Sequence, residues 1–193
     1  MKYYVSIDIG GTSIKYGVLK EDGEILLKDS MDTEAAKGGK ALENKVFCII
    51  RDCQAQYPLS GVCISTAGMV DCEKGEVFFS GELIPEYQGT KWKEDIEKAF
   101  SLPCEVENDV NCAGLAEYET GAAKGSRVAV CLTVGTGIGG CAFIDGKIFH
   151  GCSNSAMEIG YLYAGEADFQ TLGAASILSR KVAERKKDAA GNW

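Results

Sequence analysis

Residues 7–23, IDIGGTSIKYGVLKEDG, and residues 132–146, LTVGTGIGGCAFIDG, follow one plan. Each is a strand, a Gly/Thr turn, a second strand and an acidic-Gly turn. Placing Gly10 against Gly135 also brings Thr12 to Gly137 and, after a two-residue gap, Gly23 to Gly146. Two copies this far apart in a 193-residue chain predict two related domains, not a solenoid. We place the first at 1–112 and the second at 113–193.

Between the copies the pattern is mixed α/β. Residues 3–9 and 14–20 alternate as strands, and EILLKDS forms a third after the Glu21-Asp22-Gly23 turn. GGKALENKVFCIIRDCQAQY is helical, with Leu42, Val46, Ile49 and Ile50 on one side and Pro58 following its end. GVCIST is a short buried strand, and 68–92 is rich in Gly and Pro and reads as loop. KWKEDIEKAF is a helix, CEVEN a strand, and DVNCAGLAEYETGAA a helix beginning at Asp109. RVAVCLTV and GGCAFIDGKIF are strands flanking a glycine turn, and TLGAASILSRKVAERKK is a final helix.

Several function classes fall away. GTGIGG at 135–140 has the spacing of a dinucleotide-binding fingerprint, but CAFIDGKIF after it is strand, and that fingerprint must open a helix. No GKS or GKT triplet exists, which excludes a P-loop. A net charge of −8 argues against nucleic acid, whose phosphates need a basic surface. The basic run Arg180, Lys181, Arg185, Lys186 and Lys187 reads as a solvated helix face. The nine cysteines contain no CxxC pair, and several, such as Cys63 and Cys131, sit in apolar strand runs. They read as buried, reduced thiols, not as a zinc site. With no signal-peptide pattern and no apolar run near ~20 residues, the expected location is the cytoplasm, without membrane contact.

The two turns carry little side-chain bulk, so their N–H groups can approach an anion closely. A plain hairpin is the alternative for either one alone. Asp8 lies mid-strand between Ile7 and Ile9 and must face a cation, donors or a cleft, or else cap the Gly10-Gly11 turn. The order strand–Asp–Gly–Gly–Thr favours the cation. Lys15 reads equally as a phosphate contact and as an exposed strand lysine. Glu107-Asn108-Asp109 stands where a strand meets a helix: a helix cap, or a carboxylate delivered to a ligand crevice.

These segments resemble the ROK family of sugar kinases and regulators (repressors, open reading frames, kinases). IDIGGTSIKYGV is similar to its first phosphate motif, CEVENDVNCAGLAE to its catalytic strand and helix, VGTGIGG to its second phosphate motif, and HGCSNSAMEIGYL to the segment ending Gly-Glu-Ile-Gly-His. The resemblance runs from residue 1 to about 180 and implies an actin-like ATPase (ribonuclease H-like) fold. It implies a kinase using ATP and Mg²⁺ on a hexose or hexose derivative, usually at the 6-hydroxyl. Asp109 would be the general base. Gly68, Asn108, Asp109, Glu158, Tyr161 and Asp168 would line the sugar site. Gly10, Gly11, Thr12, Lys15, Gly135, Thr136 and Gly137 would contact phosphates, and Asp8 would hold Mg²⁺ through water. Family members are often dimers, so a homodimer is expected.

The chain departs from the family pattern at three places. Tyr161 replaces the usual histidine and the cysteine-rich zinc motif is missing, which implies the zinc-free branch. Met157 replaces the glycine before Glu158. The chain ends at Trp193, ahead of the family's adenosine contacts, so the second domain is expected to be incomplete and the 193 residues alone to turn over little. A ROK-type regulator would need a helix-turn-helix before residue 7. An actin-like ATPase without a sugar substrate is the third reading, and Asn108, Asp109 and Glu158 argue against it.

Overall fold

The computed structural model describes residues 1–81 and 83–190. They divide into two compact units, one ending at Asp109 and one beginning at Val110.

The first unit opens with an antiparallel meander, β1 (Tyr3–Ile9), β2 (Ser13–Lys20) and β3 (Ile25–Asp32). The chain then rises through helix α1 (Gly39–Gln56) to β4 (Leu59–Thr66), which pairs parallel to β1. A small hairpin follows, β5 (Met69–Asp71) with β6 (Glu76–Phe79), inside the stretch that reads as loop in the sequence. These strands are three and four residues long, too short for alternation to show. Helix α2 (Trp92–Phe100) leads to β7 (Cys104–Asn108), parallel to β4. The sheet order is β3-β2-β1-β4-β7.

Local chemistry accounts for these elements. In α1, Leu42, Val46, Ile49, Ile50 and Cys53 fall on one stripe and are all buried. Pro58 keeps Tyr57 extended and ends the helix there. Helix α2 carries Glu94 and Asp95 in its first turn and Lys98 in its last, each complementing the helix dipole, and buries Trp92 and Ile96 one turn apart. The inward residues of the sheet, Val5, Ile7, Ile9, Val62, Ile64, Cys104 and Val106, complete the core. Alternation sends the intervening residues to the other face, so Cys63, expected to be buried, is exposed. Cys131 in the second unit, also expected to be buried, is half-buried.

One buried relay fastens the loop after β4. The Trp92 indole N–H donates to the Tyr87 hydroxyl at 3.1 Å, the Tyr87 and Thr66 hydroxyls share a short hydrogen bond, and Thr66 donates to the Ala67 carbonyl. Burial pushes the Tyr87 phenol up to about 12. Tyr87→Phe strands the Trp92 N–H and should destabilise the fold by about 1–3 kcal/mol. Because folded Tyr87 holds its proton above the ordinary value of 10.0, wild-type stability should fall as pH rises from 10 toward 12. Chemical denaturation across that window should show this fall, and Tyr87→Phe should lack its Tyr87 part.

In the second unit, helix α3 (Asp109–Thr120) precedes a second meander, β8 (Val128–Val134), β9 (Ile138–Ile144) and β10 (Lys147–Ile148), in the order β10-β9-β8. The strand following GTGIGG is therefore present, and the two repeat copies share one topology. Helix α3 lays a stripe over β9: Val110 against Gly139, Gly114 against Cys141, and Tyr118 stacked on Phe143 at 4.7 Å. The outward side chains of β8, Val128, Val130, Leu132 and Val134, are 56–63% exposed. Beyond β10, α4 (Phe169–Gly173) and α5 (Ala175–Ala190) replace the single helix expected, with a break at extended Ala174. Among the described residues no helix is long and apolar enough to cross a membrane.

Candidate active site

The first unit gathers its predicted positions at one end of its sheet. Register places Ser30, Lys15, Asp8, Ser65 and Glu107 in one row across five strands, and Ile9, Thr66 and Asn108 in the next. The parallel strands β1, β4 and β7 thus all end together, and strand ends of this kind deliver side chains and loops to a crevice.

Asp8 sits in that polar row. The Ser65 hydroxyl donates to its Oδ1 at 2.8 Å, and Lys15 Nζ lies 3.8 Å from Oδ2. The Asp8 side chain is 44% exposed and that of Lys15 66%, so the pair is loose and solvated. One exposed carboxylate at a strand end suits Mg²⁺, which keeps most of its waters and takes one or two carboxylates beside substrate phosphates.

The Gly10–Ser13 turn closes with the Gly10 N–H donating to Ser13 O at 3.1 Å. Thr33 braces it from the end of β3: its buried hydroxyl donates to Gly10 O at 2.6 Å, and its N–H to Thr12 O at 2.9 Å. Leu83 lies over Gly11, where any Cβ would overlap its side chain.

Asn108 and Gly68 meet directly. The Asn108 amide donates from Nδ2 to the Gly68 carbonyl at 2.9 Å. Gly68 has φ +99°, a left-handed backbone, and a Cβ there would stand 2.8 Å from Phe79 O. Gly68→Ala should therefore cost about 1–3 kcal/mol and move the carbonyl that anchors Asn108. The readout is a lowered denaturation midpoint. Asp109 follows at the first turn of α3.

In the second unit the Gly135–Gly137 turn closes with Gly135 N–H to Gly137 O at 2.9 Å, and Ser176 at the start of α5 donates its hydroxyl to Thr136 O at 2.6 Å. Gln170 Oε1 lies where a Cβ on Gly137 or Gly160 would press, so α4 is seated on this turn. Asp168 is the N-cap of α4 and accepts the Thr171 N–H at 2.8 Å, which holds its carboxyl below the usual range. Glu158 stands just before a short 3₁₀ turn over Ile159–Tyr161, and Tyr161 is 49% exposed. Met157 adopts φ +65°, the left-handed backbone natural to the glycine that the resemblance leads one to expect there.

Sequence reasoning missed the supporting residues Ser65, Thr33, Thr66, Tyr87, Trp92 and Ser176. Several of their partners are distant in sequence, 57 residues for Ser65 and Asp8 and 40 for Ser176 and Thr136. No local pattern announces such pairs.

The chain matches the ROK family profile over residues 4–175. It is 50% identical over 186 residues to the uncharacterized protein CPE0188 of Clostridium perfringens, covering 96% of this chain and 63% of that protein. It is 36% identical over 160 residues to the beta-glucoside kinase of Listeria monocytogenes, covering 82% of this chain and 52% of that enzyme. A ROK family glucokinase from Streptomyces griseus, solved with glucose and AMPPNP, superposes with a TM-score of 0.85 at 26% identity, covering 98% of this chain and 63% of the glucokinase. The chain thus spans about half to two thirds of the length of these relatives and shares their actin-like ATPase architecture. The first glycine turn, the Glu107-Asn108-Asp109 strand end and the second glycine turn all fall within the matched residues, and this chain belongs to the ROK family.

Proposed function

We propose that this chain carries the phosphate- and sugar-binding portion of an ATP-dependent sugar kinase acting on a hexose or hexose derivative. The observation that supports it most is the shared strand-end edge of the first unit, where Asp8, Asn108, Asp109 and the Gly68 loop converge. Three acceptor-rich side chains beside a bare glycine turn suit a polyhydroxylated substrate and a phosphate donor.

In this reading Asp109 accepts the proton of the attacking sugar hydroxyl, usually the 6-hydroxyl, as that oxygen moves onto the γ-phosphorus. Asn108, held by the Gly68 carbonyl, orients the sugar, with Glu158, Tyr161 and Asp168 as further contacts. The backbone N–H groups of Gly10, Gly11 and Thr12, and those of Gly135, Thr136 and Gly137, receive phosphate oxygens, and Lys15 adds a positive charge nearby. Asp8, oriented by Ser65, would hold Mg²⁺ through its waters. When bound, that ion neutralises charge on the transferring phosphoryl group.

The relatives named as glucokinase and beta-glucoside kinase support a hexose or hexose derivative as the substrate. The activity proposed is that of the protein at the length of these relatives. A coupled assay of ADP release with Mg·ATP, across hexoses, N-acylhexosamines and β-glucosides, tests it. ADP release that depends on one sugar class is the expected result. ATP hydrolysis indifferent to every sugar would point to an actin-like ATPase instead.

A further inference from the structure

Two cysteines with no part in the proposed chemistry face each other at the base of the second glycine hairpin. Cys131 on β8 and Cys141 on β9 are direct register partners in an antiparallel pair. Directly opposed residues share a face, with Cα atoms about 4.5–5.5 Å apart, inside the range a disulfide accepts. Both thiols are reduced.

Their surroundings differ. Cys141 is 1% exposed. Helix α3 passes over the pair at Gly114, where a Cβ would overlap Cys141 Sγ and would stand 3.5 Å from Cys131 Cβ. Cys131 is the accessible member: it is half-buried and lines a groove of about 510 Å³ with Glu117, Ala122, Ser126 and Val130. One thiol is thus open to a small oxidant, and the other is a sheltered neighbour that can resolve the product.

We propose that Cys131 and Cys141 are an oxidative modification site, joined by hydrogen peroxide into a reversible cross-strand disulfide that staples the hairpin carrying Gly135–Gly140. The Cys131 thiolate attacks one peroxide oxygen, the O–O bond breaks, and after proton transfer a sulfenic acid and one water result. Cys141 sulfur then attacks the sulfenic sulfur, its proton leaves with the hydroxyl, and a second water departs. The two sulfurs each lose one electron and the two peroxide oxygens each gain one, so two thiols and one peroxide give one disulfide and two waters. Proximity selects the pair: the resolving thiol is already in place, and the second step is intramolecular. Neither cysteine is among the residues assigned to the sugar-kinase chemistry, so the disulfide can form whether or not that chemistry is correct.

The sequence makes the test direct. Trypsin cuts after Arg127 and Lys147 and nowhere between, so one peptide, 128–147, contains Cys131 and Cys141 and no other cysteine. The native protein is treated with hydrogen peroxide, unfolded, alkylated with iodoacetamide and digested. The expected 128–147 peptide is two hydrogens lighter than the reduced form and carries no alkyl group, and dithiothreitol restores both alkylation sites. In Cys131→Ser, Cys141 should stay fully alkylatable after the same treatment. Doubly alkylated peptide from peroxide-treated wild type would overturn the proposal. So would a sulfinic acid on Cys131, or linkage of Cys131 to a peptide containing exposed Cys48, Cys63 or Cys152.

Discussion

Asp109→Asn, made in the protein at the length of its relatives, is expected to lower kcat by about 10²–10⁴-fold and to leave sugar affinity within a few fold. The substitution keeps the size and planarity of the side chain and removes only its ability to take a proton. Asp109 opens α3 directly after β7, so its backbone is set by two regular elements and should not move. Asn108 beside it remains anchored on the Gly68 carbonyl, so the sugar contacts assigned to that residue survive. An interaction made only in the transition state lowers kcat and kcat/KM together, and that is the signature to look for. Calorimetric titration with sugar supplies the affinity and steady-state ADP release the rate. Turnover within a few fold of wild type would remove Asp109 from the chemistry and with it the proposed mechanism.

Asp8→Asn should also lower kcat, on the order of 10²-fold, with a higher Mg²⁺ concentration needed for half-maximal rate. The Ser65 hydroxyl can donate to the asparagine oxygen as it does to the carboxylate, so the strand pairing and the local fold are kept. What is lost is one negative charge at the end of β1. Ser65→Ala is the companion variant: it removes the 2.8 Å hydrogen bond but keeps the charge, and should cost clearly less. A rate series across Mg²⁺ concentrations separates the two. If Asp8→Asn matches wild type at every Mg²⁺ concentration, the carboxylate serves only its contacts with Ser65 and Lys15.

Much of this molecule is legible in the sequence. The alternation of Tyr3–Ile9, the stripe Leu42, Val46, Ile49 and Ile50, and the strand-to-helix junction at Asn108-Asp109 are local signals, and the structure reproduces each within two residues. The glycine turns are equally local, because a backbone free of Cβ is a property of one residue at a time. Where the sequence reading and the structure part, the cause is non-local. The β5–β6 hairpin is too short to display a period. The break at Ala174, directly after Gly173, coincides with α4 being seated on the Gly137 turn through Gln170, a contact 33 residues away.

The sequence by itself determined the order of elements, the repeat of two strand–turn–strand meanders and the identity of the residues able to carry charge, accept protons or bare their backbone. Tertiary structure alone decided which of those residues meet. Asp8 with Ser65, Gly10 with Thr33, Asn108 with Gly68, and Cys131 with Cys141 are set by sheet register and loop closure. A local pattern records whether a residue points inward or outward, because that repeats every two or 3.6 positions. It holds no record of which distant strand lies alongside, because that choice is made by the packing of the whole core.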